Sequence, residues 1–317
     1  MRRALVIALA LTLAGLPGPA RAWNPKIPLP PIPCQVFPAD SVWNRDVSAL
    51  PLHPQSAAYV NSIGAGSPLH PDFGSKKIGI PYAVVPATQP AVPITFNAYG
   101  DESDPGPYPV SPKAPVERGS DRHVLVVQTG PTPSDSCKLY ELFAARRRHG
   151  GAFWTAASGA SWDLGSNTLR HDTWTSADAA GLPILPGLVR YDEVQSGVIH
   201  HALRFTVPNS QQAYVWPARH LASSNPDPNL PPMGVRFRLK AAVDISSFSP
   251  INQIILTALK TYGMFVADNG GAWFVTGAPD PRWSNDDLHA LTGLHGSDFE
   301  AVDESGLIVD PNSGQAQ

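Results

Sequence analysis

Two imidazoles and a few carboxylates are the groups in this chain whose type and spacing best suit chemistry. Between Val198 and Val207 the odd positions Ile199, His201, Leu203, Phe205 and Val207 read as the buried face of a strand. The even positions His200, Ala202, Arg204 and Thr206 read as the outer face. Tyr214, Trp216, Ala218 and His220 alternate in the same way after Asn209-Ser210-Gln211-Gln212. A four-residue turn there would set His201 opposite His220, with Cβ atoms roughly 4.5–5.5 Å apart. Such a pair could bind a metal through two nitrogens or move a proton near neutral pH. A slip of one residue would separate the two rings. Phe205 and Trp216 would lie beside them, as aromatic surfaces on which a sugar ring stacks.

Carboxylates supply the second kind of chemistry, because hydrolysis of a glycosidic bond uses two of them. Asp192 and Glu193 lie in Arg190-Tyr191-Asp192-Glu193, just before the proposed hairpin. Asp178 lies in Ser176-Ala177-Asp178-Ala179-Ala180-Gly181, where small apolar neighbours would bury it and raise its pKa. Asp268, in Asp268-Asn269-Gly270-Gly271, reads instead as a hairpin turn residue. Glu141 and Arg146 form a further strand-borne set. Arg236, Arg238 and Lys240 alternate with Val235, Phe237 and Leu239, the pattern of a solvated strand face that could also meet uronate carboxylates.

Other chemistries find no support. There is no Gly-x-Ser-x-Gly, no His-Glu-x-x-His, no phosphate-binding loop and no dinucleotide fingerprint. No cofactor is implied, and a metal only at His201 and His220. Residues 1–22 read as a secretory signal, with Arg2 and Arg3, an apolar run from Ala4 to Leu16, and Ala20-Arg21-Ala22 before the cut. The apolar run is too short to span a bilayer, so no transmembrane segment is expected after cleavage. Cleavage removes Arg2, Arg3 and Arg21 and no acid, which moves the formal net charge from −3 to −6. An acidic exported protein is a poor nucleic-acid binder. Cys34 and Cys137, the two cysteines of the chain, are expected to pair in an oxidising compartment, the periplasm or the medium.

The elements that must position these groups are mostly strands. The chain has 35 prolines and only 15% charged residues, a composition that disfavours a helical protein but leaves ample apolar surface for a core. A Pro-rich arm opens residues 23–317, and residues 100–120 form a long acidic, Pro-rich loop. Strand patterns recur at 122–128, 139–144, 153–156, 198–207, 214–218 and 235–241. The period changes to helical over Pro250–Tyr262, and a closing hairpin is expected for 264–267 and 272–275. A last short helix, capped by Ser284 or Asn285, follows. These patterns predict one mainly β domain over 23–317, an antiparallel β-sandwich or jelly roll with a few C-terminal helices.

The stretches Ser176-Ala177-Asp178-Ala179-Ala180-Gly181-Leu182-Pro183, Arg190-Tyr191-Asp192-Glu193 and His201-Ala202-Leu203-Arg204-Phe205 resemble a family of secreted bacterial proteins. Ala258-Leu259-Lys260-Thr261-Tyr262-Gly263-Met264 and Ala267-Asp268-Asn269-Gly270 extend the resemblance over most of the chain. It implies a single exported domain and carries no activity with it. A weaker similarity, to jelly-roll polysaccharide lyases, rests on an Ile-His pair and a late Tyr. Here Ile199 and His201 are separated by His200, and Tyr262 falls on the predicted helix.

The resulting expectation is a secreted enzyme that cleaves an extracellular polysaccharide. Hydrolysis would use Asp178, Asp192 and Glu193, with His201 and His220 orienting a carboxylate or the sugar, and Trp216, Arg204 and Tyr262 contributing to binding. Two alternatives remain: β-elimination on a uronate polymer with His201 as base, and a non-catalytic glycan-binding or envelope protein.

Overall fold

The computed structural model describes residues 24–132 and 134–317, so the targeting segment lies outside the described residues. The first half of the chain runs α1 (Ser56–Ile63), β1 (His70–Asp72), β2 (Tyr82–Val85), β3 (Ile94–Phe96), β4 (Val124–Gln128), β5 (Lys138–Phe143), β6 (Arg146–Arg148), β7 (Phe153–Ala156) and β8 (Ser158–Asp163). The second half runs α2 (Tyr191–Ser196), β9 (Leu203–Val207), β10 (Arg236–Leu239), α3 (Pro250–Thr261), β11 (Met264–Asn269), β12 (Phe274–Thr276), α4 (Asn285–His289) and β13 (Phe299–Ala301). The protein is mostly β, with few helices.

Its strands form three sheets, in the orders β1-β12-β9-β11-β10-β13, β2-β4-β5-β8 and β3-β7-β6. Each sheet contains a parallel pair, β1 with β12 and β9 with β11 in the first, β2 with β4 in the second, and β3 with β7 in the third. The sheets are therefore mixed rather than antiparallel. The four-stranded sheet is apolar on both faces because both are covered. Leu125 and Val127 of β4 join the main core with Phe205, Val266 and Trp273, while Val124 and Val126 meet Trp154 and Ala156 of the three-stranded sheet. A strand covered on both sides reads as a continuous apolar run, which Val124–Val127 is.

The C-terminal helix forms where its period placed it. Pro250 occupies the first turn, Ser249 accepts from the Asn252 amide as cap, and Gly263 follows at φ 64°. That left-handed conformation favours glycine, and a Cβ there would also meet the Phe237 carbonyl oxygen at 2.2 Å. Ser284 likewise caps α4.

Both expected hairpins are replaced by non-local pairing. β9 is an interior strand, parallel to β11 on one side and antiparallel to β12 on the other. It thus separates the two strands of the expected closing hairpin and leaves no edge for residues 214–218. Tyr214 instead forms a bridge with Met233. Arg236 and Arg238 on β10 do not form a solvated face, because residues 42–50 lie over them and their backbone carbonyls accept from both guanidinium groups. Arg236 is fully buried and donates to Glu304 Oε1 at 2.9 Å and to the carbonyls of Val42, Arg45 and Tyr262. Arg238 pairs with Glu300 at 2.8 Å. The Cys34–Cys137 disulfide forms and fixes the N-terminal arm to the residues leading into β5. No helix of the described residues is long and apolar enough to cross a membrane.

Candidate functional site

Residues 175–179 build one wall of a cavity of about 260 Å³. Ser176 folds the segment on itself: its hydroxyl accepts from the Asp178 amide at 2.8 Å and lies 2.6 Å from the Leu182 carbonyl oxygen. Gly181 turns the chain at φ 70°, where a Cβ would meet the Trp174 carbonyl oxygen at 2.6 Å. The Ala180 amide then donates to Ala267 of β11, and the Ala180 carbonyl accepts from the amides of Arg219 and His220. These bonds bring Asp178, Asp268 and His220 to one cavity, with Tyr99 and Asn269 also on its lining.

Asp268 reaches the cavity through an irregularity in β11. The register against β9 shifts between Val266 and Asp268, so Ala267 is passed over and Asp268 faces Thr206. An extra residue of this kind re-aims the side chain that follows it. Burial pushes the Asp268 carboxyl up to about 7, and the charge of Asp178 adds to the shift while Arg204 opposes it. Below a pH of about 7 it is a carboxyl that keeps its proton.

Asp178 is 1% exposed. Arg204 holds it with Nε–Oδ2 at 3.0 Å and Nη2–Oδ1 at 2.8 Å, and donates from Nη1 to Thr276 Oγ1 at 2.7 Å. This overturns the outward placement of Arg204: the face of β9 that carries it is covered too, with Arg204 buried and Thr206 half-buried. Arg204 is committed to Asp178, not to a ligand. Below the pair, the buried His123 donates from Nδ1 to Glu117 at 2.6 Å and from Nε2 to the Ala177 carbonyl at 3.1 Å. Burial opposes the charge on His123, but its hydrogen bond to Glu117 and that carboxylate's charge outweigh burial and hold the imidazole above its ordinary value.

His220 stands at the cavity mouth. Its Nδ1 lies 2.8 Å from the Ala179 carbonyl oxygen, which can only accept, so Nδ1 carries the proton. Nε2 is left open, 3.7 Å from Glu102 Oε2. Glu102 is fixed in turn by the Thr175 amide at 2.9 Å. The fully buried Glu141 is spent structurally. Burial raises it to about 7, against hydrogen bonds from the Ile184 and Leu185 amides.

Asp192, Glu193, His201 and Tyr262 gather elsewhere, around a second cavity of about 490 Å³ walled partly by Cys34 and Val36 of the N-terminal arm. Glu193 in the first turn of α2 is gripped by Arg190 and lies 3.1 Å from His201 Nε2. Burial would raise Glu193, yet the charges of Arg190 and His201 hold it below its ordinary value. Asp192 is raised, by burial first. His201 Nδ1 contacts the Ala202 carbonyl at 2.8 Å, so both ring nitrogens are engaged and neither is open to act as a base. Tyr262 sits 3.4 Å from His200 Nδ1.

His201 and His220 thus line different cavities, because the hairpin meant to oppose them does not form. Among the described residues no group of three or more His, Cys, Asp or Glu could hold a metal ion. Trp216 is turned away, donating to the Ser313 carbonyl at 2.8 Å. Of the residues singled out by sequence, Asp178, which Arg204 holds, and His220 line one cavity, and Asp192, Glu193, His201 and Tyr262 line another. By sequence Asp268 reads as a turn residue, and nothing in the loop over 100–120 marks Glu102. The Asp-Asn-Gly-Gly run was the available signal for Asp268, but its composition describes the turn and not the bulge before it. No protein-family model, no curated protein and no solved structure matches this chain.

Proposed function

We propose that the protein is an exported enzyme that cleaves glycosidic bonds of a polysaccharide by hydrolysis at the cavity of Asp268 and His220. One observation carries the reading: a carboxyl that keeps its proton and an imidazole nitrogen that is free to take one share the wall of a single cavity. An acid that carries a proton and a base with an open lone pair are what acid–base catalysis requires. Asp268 would protonate the leaving glycosidic oxygen. His220, with Nδ1 held by the Ala179 carbonyl and Nε2 beside Glu102, would take a proton from the attacking water. The Asp178–Arg204 pair would hold the floor rigid, and the Asp178 charge would help Asp268 retain its proton.

Elimination would use the same cavity, with His220 in place of His201 as base. It also needs a free cation or neutral acid against the uronate carboxylate. Arg204 is already paired with Asp178, so the neutral Asp268 is the group that would serve there. The disulfide fits an oxidising compartment, as export requires. A β-sandwich of the larger sheets would leave this cavity at the C-terminal end of β11, where Asp268 and Asn269 lie.

The test is a reducing-end assay of residues 23–317 over a polysaccharide panel, with ultraviolet absorbance followed in parallel. New reducing ends without absorbance, lost in Asp268→Asn and His220→Ala, support hydrolysis. Absorbing unsaturated products would establish elimination instead. Retention on a glycan with no cleavage would make the protein a binder.

A further inference from the structure

Beside the cavity lies a larger groove of about 850 Å³, whose walls include Trp162, Trp174, Arg170, Arg219 and Asp172. Two pairs of consecutive residues join it to the cavity. Trp174 and Arg219 face the groove, while Thr175 and His220 line the cavity. Gly181 packs against both segments, which brings them to one place.

The groove's chemistry is specific. Trp174 is half-buried and its ring is held in place: the Arg170 guanidinium lies 5.8 Å from its centroid, and the His171 ring packs at 4.7 Å. Trp162 receives the same guanidinium at 5.7 Å. Both arginines are already spent. Arg170 binds Asp104 at 2.6 Å and the carbonyls of Thr175 and Glu102. Arg219 binds the carbonyls of Arg170 and Pro311 and the Asn312 side chain. Carboxylates of Asp104, Asp163 and Asp172 complete the walls. A rigid indole suits the apolar face of a sugar ring, and carboxylates accept from sugar hydroxyls. Arg170 is paired with Asp104 and Arg219 lies 3.4 Å from Asp172, which leaves Asp163 as the uncompensated charge, so the same groove repels a polyanion.

We infer that this groove binds the polymer on one side of the scissile bond, and that it takes uncharged sugar rings, with Trp174 as the stacking platform. The inference rests on the cleavage proposed above for where the chain leads, but not for its own test. Positioning energy from such a remote subsite is what orients a chain for reaction.

The experiment is affinity electrophoresis of the Asp268→Asn protein, which leaves the gel polymer intact, through gels of uncharged glucans, mannans and xylans and of polyuronates. Expected is retardation by at least one uncharged polymer and by no polyuronate. Adding Trp174→Ala should weaken it about tenfold, while Trp174→Phe keeps most of it at an unchanged melting temperature. Stronger retardation by a polyuronate, retardation indifferent to Trp174→Ala, or none in any uncharged gel would overturn the inference. Retardation through Trp174 by a wild-type protein that releases no reducing ends would leave the groove standing and remove the cleavage.

Discussion

Around Glu193 and around Asp268 the same side-chain types meet, yet they end in different states. Glu193 is drawn below its ordinary range by Arg190 and His201, and both nitrogens of His201 are engaged. At the other cavity the arginine has been taken by Asp178, so Asp268 faces burial and a like charge without a cation of its own. His220 keeps one nitrogen open. Complete mutual satisfaction makes a structural ion pair, while an incomplete set leaves groups that can still exchange protons. The first cluster reads as a clamp under the N-terminal arm, and the second as a site.

The contrast can be broken in several ways, the largest expected effect first. Cys34 belongs to the wall of the Glu193 cavity and closes a loop with a separation of 103 residues. Replacing both cysteines with serine should cost about 4–5 kcal/mol of stability in urea. Any surviving folded protein should retain its turnover per molecule, since the disulfide does not touch the Asp268 cavity. Arg204→Met strands a buried carboxylate and should cost about 3–5 kcal/mol. Arg204→Met with Asp178→Asn should recover part of that loss, a coupling that a double-mutant cycle in urea measures directly.

Asp268→Asn should lower kcat by about 10²–10⁴-fold with no loss of melting temperature, because it removes the proton donor but also a poorly placed carboxyl. Glu193→Gln should do the reverse, losing about 1–3 kcal/mol of stability at nearly unchanged kcat. If Glu193→Gln silences the proposed activity while Asp268→Asn spares it, the roles of the two cavities are exchanged.

The smallest effect is a difference in the sign of pH dependence. Asp268 rises from 3.8 to about 7 on folding, so its stabilising influence is complete below 3.8 and fades as pH climbs to about 7. Activity that needs its proton should fall through the same value of about 7. Glu193 is lowered from 4.5, so its contribution is complete above 4.5 and is lost as pH drops through the folded value. Urea titrations of Asp268→Asn and Glu193→Gln across pH should remove opposite limbs of the stability curve, each at most about 1.4 kcal/mol per pH unit.

Local patterns were legible wherever a single element determined the outcome. Pro250, Ser249 and Gly263 marked the ends of α3, and the run Val124–Val127 marked a strand. The cysteine pair could be read because two cysteines in an oxidising compartment leave one partner each. The segment 198–207 shows where this stops. Its alternation correctly buried Leu203, Phe205 and Val207, but placed Arg204 in solvent because alternation assumes that one face of the sheet is open. Asp178 was correctly expected to be buried, yet its partner Arg204 is 26 residues away and on another element.

Composition and local period by themselves determined the mainly β character, the C-terminal helices, the disulfide partners and the short list of ionisable groups. Strand order decided the rest. Placing β9 between β11 and β12 separated His201 from His220, and the bulge in β11 turned Asp268 toward Asp178. The physical reason is one of range. Caps, turns and periods are set by neighbours in the chain, whereas a proton's affinity for Asp268 depends on charges and burial supplied by residues far from it in sequence, which only the folded chain brings near.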